Sequence, residues 1–354
     1  MSRFLPLQRH ALHVLAAAAL FGASAPLAKR LLEDQSALSL AALAYLGGGV
    51  ALGIAWLLRR RRRVLPQTGS PWTTPELANL TGAIVAGGVL APITLFWSLS
   101  NMPAANASLL LSFEGLLTAV LAAVLFHEAV ARRVWLAMLI MIIAAAVLSF
   151  DAGEFALQLV PSAGVVLACA LWGLDNNLTR AVSHRDALGI AALKGLVAGS
   201  TNAAIAWLLG HDLLVSVQGT LGALTLGVLS YGLSLVLFVG ALAHLGSART
   251  AAHFGTAPFI GAALAVVLGE PLSLSLVAAI CLTALSTWLV LTEIHEHGHT
   301  HELLEHEHMH VHDEHHQHAH EGHEGPEPHR HRHKHGPLSH SHRHLPDLHH
   351  RHDH

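Results

Sequence analysis

Ten stretches of about twenty mostly apolar residues follow one another along the first 293 positions, near 10–30, 36–58, 77–99, 105–126, 133–150, 161–181, 187–209, 220–243, 250–269 and 273–293. At about 1.5 Å per residue, such a stretch covers the ~30 Å hydrocarbon core of a bilayer. Lipid offers the backbone no hydrogen bonds, so a spanning segment is either a helix or a strand of a closed barrel, and runs this long select the helix. The sequence therefore predicts an all-α membrane protein with ten transmembrane helices. Composition agrees: 53% of residues are hydrophobic and 12% charged, about half the charge of an ordinary soluble domain. The first run resembles a secretion signal, with Arg3 and Arg9 ahead of it and Ala23-Ser24-Ala25 behind. Pro26 directly after those small residues opposes cleavage, and the run is expected to stay as the first span.

Orientation follows from the basic residues of the short loops. With the N-terminus inside, the inner loops hold Arg3, Arg9, Arg59 to Arg63, Arg132, Arg133, Arg180, Arg185 and Arg249, twelve in all, and the outer loops only Lys29 and Arg30, offset by Glu33 and Asp34. Both termini are then cytoplasmic, and a bacterial cytoplasmic (inner) membrane is expected, with the lipid bilayer as partner. The net charge of −3 sums two unlike regions, since residues 295–354 hold 11 of the 23 acids and 5 of the 20 bases. It points to no nucleic-acid partner. Cys169 and Cys281 lie inside apolar runs 112 residues apart, which argues against a disulfide framework or a cysteine-ligated zinc site.

The chain repeats itself. Ala19-Leu20-Phe21-Gly22, followed by Lys29, matches Ala170-Leu171-Trp172-Gly173, followed by Arg180, at an offset of 151, and 106–128 matches 248–270 at an offset of 142. Five spans per half is an odd number, so the second half enters the membrane from the opposite side, the inverted repeat characteristic of secondary transporters. The fourth span of the first half reads Asn106-Ala107-Ser108-Leu109-Leu110-Leu111-Ser112-Phe113-Glu114 and runs on to Phe126-His127-Glu128; its counterpart passes through Thr256-Ala257-Pro258 to Leu268-Gly269-Glu270. On these residues the chain resembles the drug/metabolite transporter superfamily, as two tandem EamA-type repeats. One departure is Gly115-Leu116, where many relatives have proline; the second half keeps Pro258. The resemblance implies export of small metabolites, amino acids or drugs, often against a proton. The expected organisation is a short cytoplasmic N-terminus at 1–9, repeats at 10–151 and 160–293, and a tail at 294–354.

An ionisable group at bilayer depth is costly and marks function by default. Glu114 lies about 12 Å below the outer end of its span, Asp175 about 21 Å from the outer face and Lys194 about 12 Å from the inner one. Asp175 and Lys194 thus share a depth and are expected to pair, either as a neutralised salt bridge or at a substrate site. Glu114 has no evident partner and is a candidate proton-coupling group, with Thr118 one turn along its face. His253 and Thr256 lie near the pseudo-two-fold axis, Thr256 being the repeat equivalent of Glu114. Asn176, Asn177, Asn202, Tyr231 and Trp97 read first as packing groups, and Glu128 and Glu270 as helix-end anchors. Glu114, Asp175 and His253 together form a candidate N/O site for a divalent cation, whereas Lys194 argues for a carboxylate or phosphate.

Twenty-four of the 31 histidines fall within 295–354. Many alternate with other residues: His295, His297, His299 and His301; His306, His308, His310 and His312; His329, His331, His333 and His335. Neutral imidazoles so spaced suit Zn, Ni, Co or Cu. No apolar face persists, so the tail is expected to be disordered without metal. No catalytic residues are read and no cofactor is required, so transport rather than catalysis is expected. Three functions stay open: a transition-metal exporter whose tail collects ions, an amino-acid or small-metabolite exporter with a regulatory tail, and a metal sensor or store without transport. A homodimer is compatible with all three.

Overall fold

The computed structural model describes residues 4–62, 71–126, 132–150, 155–182, 185–245 and 247–292, and in the tail 295–301, 304–310, 329–335 and 338–344. Among them are ten helices long and apolar enough to cross a membrane, spans one to ten: His10–Leu31, Ala37–Arg61, Thr74–Ser100, Ala104–Leu125, Arg132–Ser149, Leu159–Arg180, Ala187–Leu208, Val217–Ala241, Thr250–Val267 and Leu274–Leu291. Below, inner and outer follow the arginine distribution. Large apolar side chains such as Trp207 and Val267, 74% and 80% exposed, face outward, as a hydrocarbon solvent allows.

Spans two and seven form the most extensive helix pair, and small residues explain why. A Cβ on Gly49 would lie 2.5 Å from the Leu196 nitrogen, and one on Gly195 2.8 Å from the Gly49 Cα. Without a hydrophobic drive between helices in lipid, such close backbone approach is what gains dispersion contact. Spans five and ten pair at the side, where Ser286 donates to the Ala137 carbonyl at 2.9 Å and Arg133 to that of Thr292 at 3.2 Å.

Four spans are interrupted near mid-depth. Spans three and eight each pass through a wide turn with π-type hydrogen bonds, at Ile84–Leu90 and Gly227–Leu233. The two lie 143 positions apart, matching the repeat. Span four breaks between Ala104–Leu110 and Phe113–Phe126, span nine between Ser247–Phe254 and Ala257–Val267. The outer pieces of spans four and nine pack on each other and on Ser24–Leu31, whereas the inner piece of span four, Phe113–Phe126, rests mainly on span six, and Ser247–Phe254 mainly on spans one and eight. Spans four and nine are thus joined at their outer ends and diverge toward the inner one.

At the inner end Arg185 grips Glu76 through Nε at 2.9 Å and Nη2 at 2.7 Å and stacks over Trp72 at 4.1 Å. The Glu76 carboxylate holds the Arg185 guanidinium above even its ordinary high range.

The tail, Glu293–His354, is a separate unit. Strands β1 (His295–His301) and β4 (Leu338–His344) pair antiparallel, as do β2 (Leu304–His310) and β3 (His329–His335). In each pair the strands are matched over seven residues. Alternation of His with other residues has the period of a strand, and backbone pairing needs no apolar face.

Candidate functional site

Pro92 starts the site. In the wide turn before it the Ala91 N–H donates back to the Ala86 carbonyl. The next donor in that register would serve Gly87, but Pro92 has no N–H. The freed Gly87 carbonyl accepts instead from the Tyr45 hydroxyl at 2.9 Å and the Trp172 indole at 3.0 Å, from spans two and six. The neighbouring Gly88 carbonyl accepts from Asn202 of span seven at 3.0 Å. Orphaned carbonyls at bilayer depth must be satisfied, and here they tie three spans to the third.

Beside this junction Lys194 and Asp175 meet in a direct ion pair, closed into a triangle by Thr179, which donates to Asp175 at 2.9 Å and accepts from Lys194 at 2.9 Å. Asp175 is 8% exposed. It fits because residue 87 is glycine: a Cβ there would lie 2.5 Å from Asp175 Cβ and Cγ. The pairing read from helical rise is present in the structure.

Glu114 stands in the first turn of Phe113–Phe126, just past the break in span four. The sequence offered it no partner; the structure provides Asn176, whose amide donates to Oε1 at 3.2 Å and to the Thr118 hydroxyl at 3.4 Å. Thr118 donates to the Glu114 carbonyl at 2.7 Å, and Asn177 to the carbonyls of Thr118 and Gly173 at 3.0 and 2.8 Å. Asn176 is exposed, and among the described residues nothing lies within 4 Å of a Cβ placed on Gly115, the residue after Glu114.

Aromatic rings of spans one, two, eight and nine continue from Tyr45. Its centroid lies 5.8 Å from that of Tyr231, which is 6.3 Å from Phe21; Phe21 is 5.5 Å from Phe254, and Phe254 4.9 Å from Phe238. Tyr231 sits within the second wide turn.

His253 and Thr256 flank the break in span nine, where the Thr256 hydroxyl donates to the His253 carbonyl at 2.7 Å. Among the described residues no three His, Cys, Asp or Glu side chains gather as a metal site, so Glu114, Asp175 and His253 do not converge as the sequence allowed. Trp97 is at the outer end of span three, 45% exposed. Eleven of the twelve candidate tail ligands lie on the strands; His312 and Glu128 fall outside the described residues. Sequence reasoning missed Tyr45, Trp172 and Thr179. Pro92 and the Ala-Leu-Trp-Gly repeat were the available signals for the first two.

The comparisons agree with this architecture. The EamA-like transporter family model matches twice, over residues 9–150 and 162–292. A protein of Methanothermobacter thermautotrophicus described as an uncharacterized transporter is 28% identical over 275 residues, 74% of this chain and 80% of its own length. One solved crystal structure superposes with a TM-score of 0.59 at 21% identity, covering 80% of this chain and 95% of its own, which shows a shared fold. With both halves of the membrane body matched, the chain belongs to the EamA-like transporter family.

Proposed function

We propose that the protein is a proton-coupled exporter of a small organic solute carrying an ammonium group, amino acids being the leading class. The carrying observation is the unequal state of the two mid-depth carboxylates: Asp175 is held by Lys194 and Thr179, while Glu114 has one amide partner and, at the next residue, Gly115, open space among the described residues. An ammonium group is attracted by a free carboxylate and by the faces of rings such as Tyr45 and Tyr231. A proton competing with it for Glu114 couples the two fluxes, and Lys194 is close enough to the junction to attract a substrate carboxylate.

A second reading, export of Zn, Ni or Co with the tail as ion collector, is favoured by the 24 histidines of 295–354. In the first reading the same tail binds metal and regulates. The cytoplasmic termini and the inner-membrane location are part of both. Flux into inside-out proteoliposomes decides between them. Amino-acid uptake driven by an imposed pH gradient, lost in Glu114→Gln, supports the first; metal flux without amino-acid flux replaces it with the second. Absence of both, with tail metal binding intact, leaves a sensor or store.

A further inference from the structure

The outer ends of four spans are held together by three charged side chains, each set against helix-end groups of the matching polarity. At the end of span one, Lys29 donates to the carbonyls of Leu99 and Ser100, at 2.7 and 3.2 Å, which close span three. Arg30 donates at 2.9 Å to the carbonyl of Leu268, which closes span nine. Glu270 accepts from the backbone N–H groups of Ala104 and Ala105, at 2.7 and 2.9 Å, which open span four. Cations on carbonyl ends and a carboxylate on an N–H end are the favourable arrangement for helix dipoles.

Local geometry aims Glu270. Gly269 has φ 112°, the Gly269 N–H returns to the Val266 carbonyl and the Glu270 N–H to the Ala265 carbonyl. This is the glycine-terminated helix end in which the chain reverses and the next residue is thrown sideways. Here it is thrown onto span four. Span nine thus receives Arg30 on its last carbonyl and sends Glu270 to the neighbour, so spans one, three, four and nine are linked in a chain at one face. Below that face the inner pieces of spans four and nine have different main neighbours, so the contact sits where these two spans must part for access from outside.

We propose that Lys29, Arg30 and Glu270 form the outer latch of the transport cycle, with Glu270 its central positioning residue: closed in the conformation described here and broken when the pathway opens outward.

The test uses the full chain with Cys169 and Cys281 changed to Ser and a reporter thiol from Gly115→Cys, where a side chain has room. A membrane-impermeant maleimide is applied to right-side-out and inside-out vesicles. The parent is expected to label from the inner face. Glu270→Ala should raise outer-face labelling on the order of tenfold, as loss of charge-assisted hydrogen bonds from one state implies. Lys29→Met and Arg30→Met should raise it less. Outer labelling that stays at the parent level in Glu270→Ala overturns the latch. So does a parallel rise at both faces, which would make Glu270 a determinant of stability alone.

Discussion

Lys194→Met provides a quantitative test of the buried ion pair. It keeps an unbranched side chain of similar length but removes the ammonium from Asp175, leaving that carboxylate with the Thr179 hydroxyl, which donates at 2.9 Å. Stranding one partner of a buried pair costs about 3–5 kcal/mol. The Lys194 and Asp175 side chains are 18% and 11% exposed, so slight screening puts the expected loss near the lower bound, about 3 kcal/mol. At about 2 °C per kcal/mol for a body this large, Tm should fall by about 6 °C. Adding Asp175→Asn removes the stranded charge and should recover more than half of the loss, a coupling of about 2 kcal/mol. Unfolding can be followed in detergent with a thiol-reactive fluorogenic dye at Cys169, which is buried, in a Cys281→Ser background because Cys281 is exposed. If the double variant melts as low as Lys194→Met, or lower, the two charges do not stabilise one another and the argument fails.

Other expectations follow from single contacts. Gly49→Leu should abolish assembly, measured as monodisperse protein in detergent, because spans two and seven approach within 2.5 Å of that Cβ position, whereas Gly53→Leu, with nothing within 4 Å, should assemble normally. Trp172→Phe removes one donor to the Gly87 carbonyl at 3.0 Å and should cost about 1 kcal/mol, read as a Tm lowered by about 2 °C. Gly269→Ala forces an L side chain to φ 112° and should cost about 1 kcal/mol while raising outer-face labelling in the vesicle assay. Removing residues 293–354 should leave the Tm of the membrane body unchanged, since they form a separate unit, and should abolish zinc binding by calorimetry; in the intact chain that binding should weaken below about pH 6.5 as imidazoles protonate.

Much of the architecture was legible because the bilayer imposes so few solutions. Run length alone called for ten helices, and the matching of 106–128 to 248–270 called for an inverted repeat. Helical rise placed Asp175 and Lys194 at one depth, and they pair. It could not find a partner for Glu114, because Asn176 is one residue from Asp175 on a helix whose rotation about its own axis is set by packing. Rise measures depth, not azimuth. The wide turns in spans three and eight were nearly as hidden: Gly87-Gly88 weakens the helix without specifying a wide turn, and only Pro92 hinted that a carbonyl would be left over.

Glu270 marks the boundary between the two kinds of information. Leu268-Gly269-Glu270 reads as a helix end with a glutamate at the interface, which local sequence determines through glycine's freedom at positive φ. That the carboxylate lands on the N–H groups of Ala104 and Ala105, 166 and 165 residues away, is a product of how spans four and nine cross. By itself, then, the sequence determined how many helices there are, where each lies along the membrane normal and how the halves are related, because hydrophobic length and repetition are one-dimensional quantities. Only the tertiary structure decided which groups face each other across the bundle, because helix rotation and crossing depend on side chains from both halves meeting at once.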